Sequence, residues 1–438
     1  MNKELENRRE IDYSWNFESA NTKEYSHCYH SYPAMMIPQI ARRLISEFKN
    51  SNTKLLFDPY CGTGTSLLEA NLSGINAIGT DLNPLARLIA RVKTKLYDIN
   101  IISKYINKLE NEIHDYQLSN SENLNLFSIQ KVDKNNNNID AYQIPEFPNI
   151  NFWFSDKIIQ KLAFLKDIIE KNIDIEFRDF FLIPFSETVR ESSFTRNSEF
   201  KLFRIPMSKM KEFNPNPFSI YFSKVKRNFS GLKALEINFK PNTYAKVYDF
   251  NTCNAIPMDL LQHGSIDLTV TSPPYGDSKT TVAYGQFSRL SNQWLGFDNS
   301  SQIDNILMGG NGSYKKGYLE FESAVEELHL LKTLDLKRYN DVQSFLIDYN
   351  NSINNISVLY RKGAYICYVL GNRTVKNIQI PLDLITVEIF CKLGFEHIKT
   401  IIRNIPNKRM PKSNSPTNKI GITSSTMNNE YIVILKKL

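Results

Sequence analysis

The chain has 438 residues, 42% of them apolar, which excludes wholesale disorder and allows either two or three domains or one large domain with insertions. Its formal charge of +7 favours an acidic partner such as nucleic acid, though only mildly. Five scattered cysteines with no Cys-x-x-Cys pair argue against a zinc ribbon or a disulfide framework and suit reduced thiols.

In chain order, "MNKELENRRE" lacks the apolar core of a signal peptide, and no run reaches the length of a membrane span. A cytoplasmic, nucleoid-associated prokaryotic protein with no membrane partner is the expectation. Residues 36–97 read as alternating strand and helix: "KLLFD" and "NAIGTD" as strands, "SLLEANLSG" as a helix closed by Gly74, and "NPLARLIARVKT" as a helix with Pro84 in its first turn. Such alternation implies a parallel sheet with right-handed crossovers. From residue 245 onward, "KVYDF", "IDLTVTS" and "AYICYVL" read as further strands, and "IPLDLITVEIFCKLG" as a helix ended by Gly394. "FEHIKTIIR" and "EYIVILKK" close the chain as an antiparallel pair.

The expected fold is therefore α/β, with one sheet of about seven strands, mostly parallel, and a C-terminal antiparallel hairpin. Residues 1–97 and 245–438 form the sheet domain. Residues 98–244 form a mainly helical insertion in which Ile158, Ile159, Leu162, Leu165 and Ile169 mark one core-facing helical stripe. Residues 276–340, with "MGGNGSYKKG", are expected to decorate the edge of the sheet where the site lies.

"FDPYCGTGTSLLEA" sets an acid at a strand end before glycines and a helix, the usual ligand position in open α/β sheets. Gly62 and Gly64 let a ligand approach the main chain. Leu67 stands where a dinucleotide fingerprint needs a third glycine, and Gly64 is followed by Thr65 and not by the lysine of a phosphate loop. Asp58 would repel a pyrophosphate but suits a cationic ligand with an amino-acid end, and Asp81 suits ribose hydroxyls. S-adenosylmethionine combines these groups. A plain turn with Asp81 or Asn83 capping the next helix is the alternative.

"TSPPY" follows the strand "IDLTV". The lone pair of an exocyclic amine is delocalised into its ring and is poorly nucleophilic. Acceptors at Ser272 and the Pro273 carbonyl, held rigid by Pro273 and Pro274, would aim that lone pair at a methyl donor, and Tyr275 offers a ring on which a base stacks.

"FDPYCGTGT", "GTDLNPLA" and "TSPPY" resemble motifs of the amino-group DNA methyltransferases, and Ser-Pro-Pro-Tyr is similar to the form found in the N4-cytosine branch. "HSYPAMMIPQIARRLI" resembles the family's N-terminal cofactor motif. The resemblance implies a Rossmann-like methyltransferase fold and a cofactor site drawn from His30, Tyr32, Pro33, Asp58, Pro59, Cys61, Gly62, Gly64, Asp81, Asn83 and, near the adenine amine, Asn254. Its catalytic set is Ser272, Pro273, Pro274 and Tyr275. No proline precedes a cysteine, so covalent C5-cytosine chemistry is not expected. His27, Cys28 and His30 lie close together, and a packing or pocket role is expected for them, with no metal.

Phe200 to Lys233 carries eight basic residues against one acid, Glu212, with seven aromatic residues between them. Lys201, Arg204, Lys224, Lys226 and Arg227 are its candidate DNA contacts. A second basic strip contains Arg403, Lys408 and Arg409. Arg289, after the Ser-Pro-Pro-Tyr motif, is placed either to read base edges or to line the pocket of a flipped base. The 98–244 insertion and the 276–340 segment are expected to share DNA recognition. The combined expectation is a restriction–modification methyltransferase acting on duplex DNA at cytosine N4, with a cognate endonuclease as a partner. Adenine N6, an RNA base, or a non-catalytic binding module with a vestigial cofactor pocket are the rivals.

Overall fold

A computed structural model describes residues 7–126, 142–197, 199–278, 281–310, 317–405, 413–414, 424–425 and 429–438. Its centre is an eight-stranded sheet. The strands are β1 (Arg9–Ile11), β2 (Leu55–Asp58), β3 (Asn76–Thr80), β4 (Ala245–Tyr248), β5 (Ile266–Thr271), β6 (Tyr360–Leu370), β7 (Phe395–Asn404) and β8 (Asn429–Lys437). They lie in the order β1-β7-β8-β6-β5-β2-β3-β4. From β6 to β4 all neighbours are parallel, while β8 runs antiparallel to both β6 and β7. The expected α/β fold and terminal antiparallel pair are present. The eighth strand is an addition, since β1 joins the edge by pairing Arg9 to Ile11 with Thr400 to Ile402. Three residues carry too little alternation to be read as a strand.

Helices cover both faces because successive strand residues point to opposite sides. Leu56 packs with Ile40, Leu44 and Leu67 on one face, from α1 (Pro38–Phe48) and α2 (Thr65–Leu72). Phe57 joins the other face with Leu328, Phe345, Tyr349 and Phe390. Those come from α9 (Val325–Leu334), α10 (Leu336–Ser357) and α11 (Leu382–Lys392). Part of the 276–340 segment is thus a structural layer of the sheet domain and not an edge decoration.

The insertion forms a third core. It comprises α4 (Ile99–Leu126), α5 (Asp156–Asn172), α6 (Ile175–Ser192) and α7 (Pro217–Asn238). The five apolar residues expected to face a core on α5 are all buried. The cluster also includes Leu88 and Val92 of α3 (Pro84–Lys93), and Phe287, Leu290 and Trp294 of α8 (Tyr284–Trp294). The insertion is therefore packed onto the sheet domain through these two helices. Helix α8 was not read from the sequence, although Phe287, Leu290 and Trp294 have the i, i+3, i+7 spacing of a buried stripe. Among the described residues no helix is long and apolar enough to cross a membrane.

Candidate active site

Parallel pairing of β5, β2 and β3 brings their C-terminal loops to one edge, where open α/β sheets bind ligands. There an open cavity is lined by Asp58, Cys61, Gly62, Asp81 and Asn83 together with Ser272 and Pro274. Tyr32 and Pro33 form another wall. Two motifs some two hundred residues apart thus share one cavity.

The first loop is held by its own acids. Asp81 accepts hydrogen bonds from the amides of Gly62 (3.1 Å) and Asn83 (2.7 Å), which ties the glycine turn to the start of α3. Asn83 caps α3 by accepting from Leu85 N at 3.2 Å, and its Nδ2 donates to the Tyr32 hydroxyl at 2.8 Å. The capping and pocket readings of Asn83 are therefore both realised. Gly62 has φ of 49° with open space at its missing Cβ. Gly64 has φ of 77°, and a Cβ there would meet Ala90 Cβ at 2.9 Å, so this glycine serves the close contact of α2 with α3 and does not line the cavity.

Asp58 is buried at the cavity floor. It accepts from Thr271 Oγ1 at 2.5 Å and from the Tyr60 amide at 3.1 Å. Burial raises its carboxyl to about 7 and that of Asp81 to about 6, and each acid raises the other or is raised by a neighbouring acid. No ion pair is formed by the Asp58 carboxylate among the described residues. Two desolvated acids beside the apolar side chains of Met35, Met36, Leu307 and Met308 suit a ligand with a cationic end, a ribose and a flat ring.

Several expected residues stand elsewhere. His30 is buried behind the wall, its Nε2 3.2 Å from Ser186 Oγ and its ring against Phe287 and Tyr32. Pro59 turns its carbonyl to Thr80 Oγ1 at 2.9 Å. Asn254 is exposed and does not line the cavity, because Thr252 Oγ1 and Cys253 Sγ fasten that loop to Ser352 and Asp348 of α10. His27 Nε2 meets Glu69 Oε1 at 2.9 Å, and burial lowers the imidazole to about 4. Cys28 Sγ donates to the Tyr25 carbonyl at 3.1 Å.

Pro273 is buried, and the Tyr275 ring is partly buried against the core. Tyr275 does not line the cavity, so the expected stacking face is corrected. Its hydroxyl lies 3.2 Å from Ser272 Oγ and donates to Glu430 Oε1 at 3.4 Å. The aromatic wall of the cavity is instead Tyr32 with Tyr284, whose rings stack 5.9 Å apart. Sequence reading passed over Tyr284, Leu307 and Met308 because nothing local marks them as cavity residues. It also passed over Lys93, buried beneath the glycine turn, with its amine lowered to about 7 by burial and donating to Thr63 Oγ1 at 3.1 Å.

The basic residues divide by partner. Arg227 pairs with the buried Glu187 and donates to the Tyr29 carbonyl, so it is a structural clamp and not a free phosphate contact. Arg403 is 3% exposed and donates to Glu430 Oε2 at 2.8 Å, directly across the β7–β8 ladder. That expectation is corrected too. Lys224 pairs with Glu191 at 2.6 Å, and the exposed Lys226 reaches Glu110 at 3.7 Å. Arg204 is half-buried with its guanidinium over Phe152 and Phe194. Arg289 is half-buried on α8, Lys201 is exposed, and Lys408 and Arg409 lie outside the described residues.

A family model described as RMKL-like, methyltransferase domain matches residues 25–142. The Type II methyltransferase M.MvaI of Kocuria varians is 38% identical over 96% of this chain and 93% of that protein. The chain belongs to the Type II DNA methyltransferases. Shorter matches reach the Type II methyltransferase M.MjaII of Methanocaldococcus jannaschii, 31% identical over 24% of this chain and 20% of that protein. A tRNA (guanine(10)-N2)-dimethyltransferase of the same organism is 32% identical over 23% of this chain and 27% of that enzyme. As a DNA methyltransferase the chain uses S-adenosylmethionine, and the unpaired acid at the cavity floor fits that cation. When bound, this cofactor supplies an electrophilic methyl group.

Proposed function

We propose that this DNA methyltransferase modifies the exocyclic N4 amine of a cytosine flipped out of duplex DNA, at a site shared with a cognate restriction endonuclease. The observation that carries the reading is Ser272 in the same cavity as Asp58, Gly62 and Asp81. Ser272 Oγ and the Pro273 carbonyl accept from the amine N–H groups, which favours a tetrahedral nitrogen with its lone pair turned to the methyl donor. Asp58, Gly62 and Cys61 hold the amino-acid end of the cofactor, and Asp81 holds its ribose. Tyr284, on the cavity wall, supplies the stacking face in place of Tyr275. The deciding experiment is transfer of tritiated methyl to duplex DNA followed by nucleoside analysis. Label in N4-methylcytosine is expected, whereas N6-methyladenine or label confined to RNA overturns the reading.

DNA contact is proposed for the segment 199–211. Lys201, Lys209 and Lys211 are exposed there beside Phe203 (47% exposed) and Met207 (81%). The segment is seated next to the cavity wall, since the Leu202 amide donates to Gln286 Oε1 at 3.2 Å, two residues beyond Tyr284. Replacing Lys201, Lys209 and Lys211 with Ala should lower the slope of log affinity against log salt by roughly 1 per lysine, irrespective of DNA sequence. Lys224→Ala, at a cation already paired, should leave the slope almost unchanged, and equal slopes for wild type and the triple variant would remove the segment from the interface.

A further inference from the structure

The Ser-Pro-Pro-Tyr motif is connected to a carboxylate that no sequence motif marks. Ser272 Oγ lies 3.2 Å from the Tyr275 hydroxyl, which donates to Glu430 Oε1 at 3.4 Å. The other oxygen of Glu430 accepts from Arg403 at 2.8 Å. Arg403 in turn reaches the Asn16 carbonyl, which fixes the far end of the chain of contacts. Strand register imposes the acid–arginine pair, because Glu430 and Arg403 are direct partners across β8 and β7. Only Ser272 of this series lines the cavity, so the series leads from the cavity into the sheet.

Methylation of an exocyclic amine creates a need that this series answers. The amine nitrogen forms a bond to the methyl carbon as the C–S bond breaks, and the electron pair of that bond goes to sulfur. The nitrogen is then cationic and holds one proton more than the product. We propose that this proton leaves by way of Ser272 and Tyr275 to Glu430. Ser272 Oγ takes it from the nitrogen while the Ser272 hydroxyl proton passes to the Tyr275 oxygen. The Tyr275 proton passes to Glu430, so both hydroxyls end neutral and the carboxylate ends protonated. Glu430 is a positioning residue in this scheme, because it touches the substrate only through Tyr275 and Ser272.

The environment of Glu430 suits the task. The titratable groups that face it among the described residues are Arg403, from β7, and Tyr275, from the loop after β5. Burial raises its carboxyl above the ordinary range, and Arg403 opposes that rise. A carboxylate made more basic by burial, and held in place by an arginine, is able to accept a proton. The inference rests on the preceding reading that an amine is methylated at Ser272.

The test uses Tyr275→Phe, which keeps the ring and the Glu430–Arg403 pair but breaks the series, with Glu430→Gln as the second variant. In single turnovers at saturating cofactor, wild type should show an acid limb from protonation of Glu430. Both variants should lose that limb and react about 10²-fold more slowly at neutral pH. A separate readout needs no cofactor. With Tyr labelled at ¹³Cζ, the resonance absent from Tyr275→Phe should shift as Glu430 titrates in wild type and stay flat in Glu430→Gln. Wild-type rates and pH profiles in both variants, or a Tyr275 signal indifferent to Glu430, overturn the relay while leaving amine methylation intact. Wild-type enzyme that labels no base nitrogen overturns the reading beneath it.

Discussion

Tyr275→Ala is expected to lower methyl transfer by at least about 10²-fold while leaving S-adenosylmethionine affinity within a few-fold. The Tyr275 ring packs against the core, and its hydroxyl is the partner of Ser272. Removing the side chain frees Ser272 to rotate and opens a void behind Pro273 and Pro274. The donors and acceptors around the amine then lose their fixed geometry, which is where positioning catalysis is most sensitive. Tyr275 does not line the cavity, so the cofactor should bind nearly as before. Equilibrium dialysis with S-adenosylmethionine and single-turnover methylation measure the two quantities separately. Cofactor affinity falling in step with the rate would contradict the role assigned to the motif.

The reverse split is expected for Asp58→Ala. Loss of a charged hydrogen-bond acceptor at the cavity floor should weaken S-adenosylmethionine by about 10²-fold, from about 3 kcal/mol of charge-assisted bonding. Acidity gives a second signature. The free protein holds Asp58 near a pKa of about 7, so the ionised form that attracts a cation is lost as pH falls through 7. Wild-type affinity should therefore decline by nearly tenfold per pH unit below that point, and the Asp58 variant should not follow it. Asp81, at about 6, adds to the decline at lower pH.

The sign for stability is opposite. A folded-state carboxyl raised above its ordinary value of 3.8 favours the protonated fold, so ionisation costs stability as pH rises toward 7. Asp58→Asn should accordingly raise the melting temperature of the cofactor-free protein more at pH 8 than at pH 5. Full cofactor affinity in Asp58→Ala would remove that residue from the binding site.

Where local residues carry the cause, the sequence by itself was sufficient. Seven of the eight strands were legible because each is an apolar run bounded by turn residues or glycines. The glycine turn and the Ser-Pro-Pro-Tyr turn were legible because φ at a glycine and rigidity at a proline are properties of single residues. Helix α8 was legible in principle, through its Phe287–Leu290–Trp294 stripe.

What only the tertiary structure decided are matters of partner and direction. Arg403 and Arg227 count as positive charges in any stretch of sequence, yet each is neutralised by an acid brought from far along the chain, Glu430 and Glu187. Tyr275 reads as a free aromatic ring until packing turns its face to the core and its hydroxyl to Ser272. Tyr284 and Met308 acquire their places because a cavity forms between segments, and no local spacing encodes what a distant segment will leave open. The sequence determined the parts and the chemistry they carry. The fold decided which charges remain available, because burial and pairing depend on neighbours in space and not on neighbours in the chain.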